Sequence, residues 1–203
     1  MSKLYSKVTI RKRMTIRRFR RKRNIWDELK RYGSNIIHSE EMEKAFEQTH
    51  HKYSTVGEHT MRVAFSSVRL CRALNRIHID VDVPTVVIAS LSHDLGILGR
   101  YDKYSSNKEC SREHPKDSVI VAKGLLEDMS IKTQDVIERH MWPAGKCKAP
   151  NSIEAVVVSV ADKYNAVKDY FCGSEVNETG VKYYLSDKKD RVKSAIKRRR
   201  SVA

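Results

Sequence analysis

Between residues 34 and 187, apolar residues recur three and four positions apart, and period-two alternation long enough for a strand is nearly absent. This spacing puts the apolar side chains on one face of each helix, as in amphipathic helices that share a core. We therefore predict an all-α fold, a single helical bundle.

Four long segments carry this pattern, and we predict helices over residues 56–74, 84–95, 114–128 and 151–171, with a shorter one over 133–141. Asp82 is a possible cap of the second helix, and His114 followed by Pro115 suits the start of the third. The run from Ala155 to Ala161 also fits a buried strand, but a cap at Asn151 or Ser152 and the length of the segment favour a helix.

The formal net charge of +15 is concentrated at the two ends. Residues 1–25 contain 11 basic residues and no acid, and residues 188–200 contain eight basic residues and one acid, so the stretch between them is slightly acidic. We predict a basic N-terminal extension (1–33), a helical domain (34–187) and a basic C-terminal tail (188–203), with both ends flexible. The 203 residues suffice for one core with such appendages.

The basic ends can hold polyanions through counterion release. Apolar residues interleave the N-terminal one, which permits contact with RNA or DNA, or insertion at an anionic membrane surface. A solvated, disordered extension is the alternative. Polar residues interrupt the apolar stretches 83–98 and 153–161, and no apolar segment of a signal peptide follows the first basic residues, so we expect a cytoplasmic protein without a membrane span.

Two carboxylates lie where the helical pattern turns them inward. Asp94 follows His93 among apolar residues, and Asp162 ends an apolar run with only Lys163 beside it as a counter-charge. Two buried carboxylates repel one another, and nearby buried imidazoles add to the desolvation cost, unless a cation lies among them. A divalent metal is the simplest such cation.

Each of the other ligand-type residues has a structural alternative when taken singly. His59 fits a core histidine, His114 a helix cap, His140 a residue near a helix C-terminus, and Asp162 a carboxylate bound to a backbone amide. Their conjunction in separate helices favours a metal site instead.

These residues fall in motifs that resemble the HD superfamily of metal-dependent phosphohydrolases over residues 50–171. The matching motifs are Glu58-His59-Thr60-Met61-Arg62-Val63-Ala64, Leu91-Ser92-His93-Asp94-Leu95-Gly96, Glu113-His114-Pro115-Lys116-Asp117-Ser118, Arg139-His140 and Val160-Ala161-Asp162-Lys163. The resemblance implies an all-helical HD domain in which His59, His93, Asp94 and Asp162 are the four ligands of a minimal metal site.

His114 and His140 stand where the six-ligand branch of this superfamily has two further histidines. The resemblance therefore implies two divalent ions, Fe, Mn, Co or Zn, with Asp94 as the bridging ligand that also orients the attacking water. Within this branch the pattern is similar to that of small bacterial dinucleoside-tetraphosphate hydrolases, which implies a nucleotide-like phosphorylated substrate.

The sequence departs from the family at one position. Many members have His-Asp-x-x-Lys, with a lysine available for a phosphate, whereas this chain has Ile97 there. Arg100, Lys103 and Lys116 are candidate substitutes for this substrate-binding lysine, although each also fits a surface charge. Two functions other than hydrolysis stay open, namely a mixed-valent di-iron oxygenase of the same superfamily and a polyanion-binding module that uses the basic ends.

Overall fold

The computed structural model describes residues 2–51, 54–172 and 179–202. Nine helices occur there: α1 (Ser2–Ile37), α2 (Glu40–Glu47), α3 (Val56–Asn75), α4 (Val83–Ser92), α5 (Arg100–Lys103), α6 (Asn107–Leu125), α7 (Ile131–Arg139), α8 (Ile153–Cys172) and α9 (Thr179–Val202). The all-α fold class is confirmed. The described residues add an antiparallel pair of short strands, β1 (Thr49–His51) and β2 (Ser54–Thr55), and a 3-10 turn at Leu95–Ile97.

Helix α3 lies at the centre of the bundle and packs against α4 and α8. Thr55 caps it, because Thr55 Oγ1 accepts from the Glu58 amide (3.2 Å) and Glu58 Oε2 accepts from the Thr55 amide (3.0 Å). This reciprocal cap fixes where the helix begins, and His59 follows it directly on the buried face.

Asp82 caps helix α4 as predicted, because its carboxylate accepts from the amide of Thr85. The helix ends at Ser92, short of the predicted end at residue 95, because His93 is its C-cap and Asp94 already has the non-helical dihedrals φ −110° and ψ 5°. His93 and Asp94 therefore lie at the C-terminal end of a buried helix, where the chain changes direction.

The predicted start of the third long helix at His114 is wrong. Helix α6 begins at Asn107, because Ser106 Oγ accepts from the Glu109 amide and caps it, and Pro115 lies inside the helix. A proline there removes one amide donor, but burial of Cys110 and His114 on the same face of α6 offsets this cost. His114 consequently lies in the middle of a helix and not at its end.

Helix α1 joins the core before the predicted domain boundary at residue 33. Ile25, Trp26 and Leu29 are buried, and the Trp26 ring stacks on Phe65 with a centroid distance of 6.5 Å. The backbone departs from helical geometry at Gly33, where a Cβ would meet the side chain of Leu91.

Helix α9 crosses the other predicted boundary, at residue 187, and buries Val181 and Tyr184 near its start. Flexibility was predicted for both basic ends. This prediction concerns mainly residues whose side chains lie outside those that the structure describes. None of the helices in the described ranges combines the length and apolar character that a membrane crossing requires.

Candidate metal centre

Six side chains, carried by five helices or by the residues that directly follow them, meet at one place in the bundle core. They are the six that sequence analysis singled out as ligands, and each is at most 6% exposed: His59, His93, Asp94, His114, His140 and Asp162. His59 comes from the first turns of α3, His93 and Asp94 from the end of α4, His114 from α6, and Asp162 from α8. His140 directly follows α7.

The two oxygens of Asp94 face two different groups of imidazoles. Oδ1 lies 3.3 Å from Nε2 of His114 and 3.5 Å from Nε2 of His140. Oδ2 lies 3.3 Å from Nε2 of His93 and 3.9 Å from Nε2 of His59. Asp94 is thus placed between two clusters and offers one oxygen to each.

Asp162 belongs to the cluster on the Oδ2 side of Asp94. Its Oδ1 lies 2.9 Å from Nε2 of His59 and 3.9 Å from Nε2 of His93. Its Oδ2 accepts from Nζ of Lys163 at 2.9 Å, and the same ammonium donates to the backbone carbonyl of His140. Lys163 therefore links the two sides of the centre from outside.

Three of the histidines have one ring nitrogen committed to the backbone. Nδ1 of His93 donates to the Ser90 carbonyl, and Nδ1 of His114 donates to the Cys110 carbonyl. Nδ1 of His140 donates to the Ile137 carbonyl, and the three distances are 2.7 to 2.9 Å. Because a carbonyl oxygen only accepts, Nδ1 must carry a proton in each ring, and the neutral form then has its lone pair on Nε2. This is the state of a metal-binding imidazole.

His59 is oriented in the same way by a carboxylate. Its Nδ1 lies 3.1 Å from Oδ2 of Asp169, which also accepts from Arg62 at 2.8 Å. A carboxylate behind an imidazole holds the ring and makes the opposite nitrogen a better ligand.

The inward-facing nitrogens fit a bound cation. Nε2 of His114 lies 3.1 Å from Nε2 of His140, so two lone pairs would oppose each other unless a proton or another cation lies between them. Nε2 of His93 is buried and, among the described residues, makes no hydrogen bond. Imidazole and carboxylate donors without a thiolate are a set that Fe, Mn, Co and Zn accept.

The pKa values show where protons occupy the centre when it holds no metal. Burial lowers the pKa of His59, but hydrogen bonds with Asp162 and Asp169 outweigh it and raise the pKa to about 9. The pKa of His114 is likewise raised to about 9, by Asp94 and the Cys110 carbonyl against the effect of burial. Burial, helped by the charges of His114 and His93, lowers the pKa of His140 to about 4.

Both carboxylates of the centre are held in their charged form. Burial raises the pKa of Asp94, but the charge of His93 and the contacts of His114 and His140 bring it well below its usual range. The pKa of Asp162 is lowered as well, against the effect of burial, chiefly by His59.

Two residues of the centre were missed by sequence reasoning. Asp169 lies seven residues after Asp162 on α8, so it shares a helix face with it, and this spacing could have indicated it. His50 lies on β1, where Nε2 is 3.6 Å from Oδ2 of Asp94. No local pattern indicated His50, because a hairpin and not a helix brings it to the centre.

The three candidate substrate-binding residues contact partners on the α5 and α6 surface. Lys103 pairs with Asp117 at 2.7 Å, and Lys116 pairs with Glu113 at 3.0 Å. Arg100 donates to Asn107 at 2.5 Å. Their role toward a phosphate stays a prediction.

Comparison with known proteins gives one family. The chain matches the HD domain over residues 56–167, a range that includes all six converging residues. No curated protein and no solved structure matches the chain significantly.

Proposed function

Because this chain belongs to the HD domain family, whose members are generally metal-dependent phosphohydrolases, we propose that it cleaves a phosphomonoester, phosphodiester or phosphoanhydride of a nucleotide-like substrate with metal-activated water. The nucleotide-like character of the substrate follows from the resemblance of the ligand order, and a substrate panel tests it.

The observation that carries the proposal is the position of Asp94 between two clusters of ligand atoms. His59, His93 and Asp162 form one cluster, and Asp94, His114 and His140 form the other, with the ligand atoms of each cluster within 4.8 Å of one another. We infer a binuclear centre of Fe, Mn, Co or Zn in which Asp94 is shared through its two oxygens. Two such ions, when bound, would supply an activated water and positive charge for the phosphoryl oxygens.

The protein's own residues prepare the centre for this chemistry. Asp94 would orient the attacking water, because its carboxylate lies where both clusters meet. Backbone carbonyls and Asp169 hold the rings, so little reorganisation is needed when ligands bind. The near-complete burial of the six side chains lowers the local dielectric and strengthens every charge interaction at the centre.

The test is release of phosphate from a panel of phosphomonoesters, phosphodiesters and dinucleoside polyphosphates, with Mn, Co, Zn or Fe added. We expect Asp94→Asn to abolish turnover, and the control Asp102→Asn, at an exposed position on α5, to retain it. Full activity in Asp94→Asn would refute the assignment.

The same assay separates hydrolysis from the oxygenase reaction of related proteins. A hydrolase turns over without oxygen, whereas a di-iron oxygenase consumes oxygen and shows an iron-dependent paramagnetic signal. Oxygen-dependent product formation by the iron-loaded protein would replace the hydrolase assignment.

For the basic ends we propose contact with a polyanion, a nucleic acid or an anionic membrane surface. Arg20, Arg21 and Arg23 are exposed on α1 immediately before the buried Ile25 and Trp26, so this charge is joined directly to the folded core. Deleting residues 1–19 and changing Arg20, Arg21 and Arg23 to Gln should weaken salt-sensitive binding to RNA or to anionic vesicles. Changing both His93 and Asp94 to Ala should leave that binding intact.

A further inference from the structure

The hairpin before α3 is held against the end of α4 by one side chain. Gln48 precedes β1, and its amide nitrogen donates to the carbonyl of Ile97 at 3.0 Å, while its amide oxygen accepts from the backbone of Gly99 at 2.7 Å. The Gln48 carbonyl also accepts from the Val56 amide at the start of α3. These three bonds tie the hairpin to the turn that follows Asp94 and to the helix that carries His59.

His50, two residues after Gln48, is thereby brought to the metal centre. Its side chain is 10% exposed, and Nε2 lies 3.6 Å from Oδ2 of Asp94. Its ring centroid is 4.9 Å from that of His59, and the ligand atoms of His50, His59 and Asp94 lie within 4.8 Å of one another. His50 thus lies on the Oδ2 side of Asp94, next to His59.

The spacing of these atoms matches that of donors around one ion. Two nitrogen or oxygen donors that each lie about 2.1 Å from a metal are about 3.0 to 4.2 Å apart, depending on the angle between them. Around Oδ2 of Asp94, Nε2 of His93 is at 3.3 Å, Nε2 of His50 at 3.6 Å and Nε2 of His59 at 3.9 Å. His50 falls in the middle of this range.

We propose that His50 is a metal ligand, the fifth protein donor of the cluster formed by His59, His93, Asp162 and Oδ2 of Asp94. The inference rests on the metal centre of the proposed function and extends it to a residue before the matched family region, since the match begins at residue 56. With His50 as a ligand, the two clusters have unequal numbers of protein donors. Five donors surround the first, and three (Asp94 Oδ1, His114 and His140) surround the second.

This inequality has two consequences for how the centre works. The cluster with five donors binds its ion more tightly, so metal is taken up in two steps and the His114 side is lost first on dilution or chelation. The cluster with three donors leaves more positions open on its ion for water and for substrate oxygens.

The test uses the full-length protein with Co(II) as the probe. A cysteine that replaces a ligand gives a thiolate-to-cobalt charge-transfer band in the near ultraviolet, which reports direct coordination and not activity. We expect this band in His50→Cys, with the wild-type spectrum subtracted. Thr49→Cys is the matched control, because Thr49 is exposed on the same strand and its side chain points to the opposite face.

A titration of metal binding supplies the second readout. His50→Ala should weaken the tighter of the two binding steps about tenfold or more, whereas Thr49→Ala should bind as wild type does. Circular dichroism of each variant shows whether the fold is retained, and His50→Cys keeps a donor at the position if truncation to Ala unfolds the hairpin.

The outcomes separate this inference from the proposed function. A His50→Ala variant that binds like wild type, together with no new band in His50→Cys, overturns the role of His50. The binuclear centre survives that result as long as His93→Ala binds Co(II) more weakly than the wild-type protein does. If the wild-type protein itself takes up no Co(II) or Mn(II), the metal centre and the role of His50 are both wrong.

Discussion

His114 and His140 point their Nε2 atoms at each other across 3.1 Å, and each ring donates its Nδ1 proton to a backbone carbonyl. With a pKa of about 9 for His114 and about 4 for His140, His114 is protonated at neutral pH in the metal-free protein, and the proton on its Nε2 lies beside Nε2 of His140 and Oδ1 of Asp94. A metal that binds there must displace this proton. The proton on His59, whose pKa is also about 9, occupies the other cluster in the same way.

Metal affinity should therefore rise with pH. Below the raised pKa of about 9, His59 and His114 are protonated, so each ion must compete with a proton and binding releases it. We expect the apparent affinity for Mn(II) to increase about tenfold per pH unit for each proton displaced, from about pH 6 to about pH 8. Calorimetry in buffers of different ionisation enthalpy measures the protons released, and an affinity independent of pH would contradict the proton positions.

Removing metal should lower the thermal stability of the protein. Without an ion, the charges of Asp94 and Asp162 are balanced by protonated histidines and, at Asp162, by Lys163. An ion that binds the folded state adds its binding free energy to the stability. Saturation at about 100 times the Kd contributes about 2.7 kcal/mol per site. For a chain of this size that corresponds to an increase in Tm of about 5 to 10 °C, measured by calorimetry after chelation and after addition of Mn(II) or Co(II).

The variant His93→Ala is the control for the stability measurement. It removes a ligand whose Nε2 has no hydrogen-bond partner among the described residues and leaves the cluster of Asp94, His114 and His140 intact, so metal should raise its Tm less than that of wild type. An equal rise in wild type and in His93→Ala would place the stabilising ion elsewhere in the molecule.

Changing Asp169 to Asn should weaken metal binding without removing a ligand. The carboxylate holds Nδ1 of His59 and pairs with Arg62, and an amide in its place keeps an acceptor but loses the charge. We expect a loss of about 10- to 100-fold in affinity. Asp135→Asn is the matched control, since its ion pair with Arg139 lies on α7. Equal affinities in the two variants would mean that Asp169 only supports the fold.

Gly96→Ala should disturb the centre through the backbone. A Cβ at Gly96 would meet the backbone of α6 at His114, Asp117 and Ser118. In addition, Ser118 Oγ accepts a hydrogen bond from the Gly96 amide and donates one to the His93 carbonyl. The added methyl must push the turn after Asp94 away from α6. We expect a loss of about 2 to 4 kcal/mol in the free energy of unfolding. We also expect weaker binding of the ion held by Asp94, His114 and His140.

Gly124→Ala separates this effect from the loss of a glycine as such. Gly124 lies near the end of α6, and a Cβ there would meet nothing within 4 Å. Alanine should be tolerated and should stabilise the helix by about 0.5 to 1 kcal/mol. Urea unfolding of the two variants measures the difference, and similar destabilisation by both would exclude the contact with α6 as the cause.

Local patterns account for the parts of the fold that sequence analysis predicted. The helical face that carries His59, the cap at Asp82 and the long apolar segment that contains Asp162 were all predicted, because each depends on residues within a few positions along the chain. The start of α6 was missed, because the cap at Ser106 and the burial of Cys110 outweigh the missing amide of Pro115. The packing of Trp26 was missed for a different reason, since its partner Phe65 is distant in sequence.

The sequence by itself determined that this chain is helical and that Asp94 and Asp162 face inward, because helical periodicity and the unfavourable burial of charge are local properties. Only the tertiary structure decided that Oδ1 of Asp94 lies near His114 and His140, and that Oδ2 lies near His59 and His93. Only the tertiary structure brought in His50, through the hydrogen bonds of Gln48 to Ile97 and Gly99. Contacts between residues about 50 positions apart depend on how helices and turns dock, and no spacing along the chain encodes that docking.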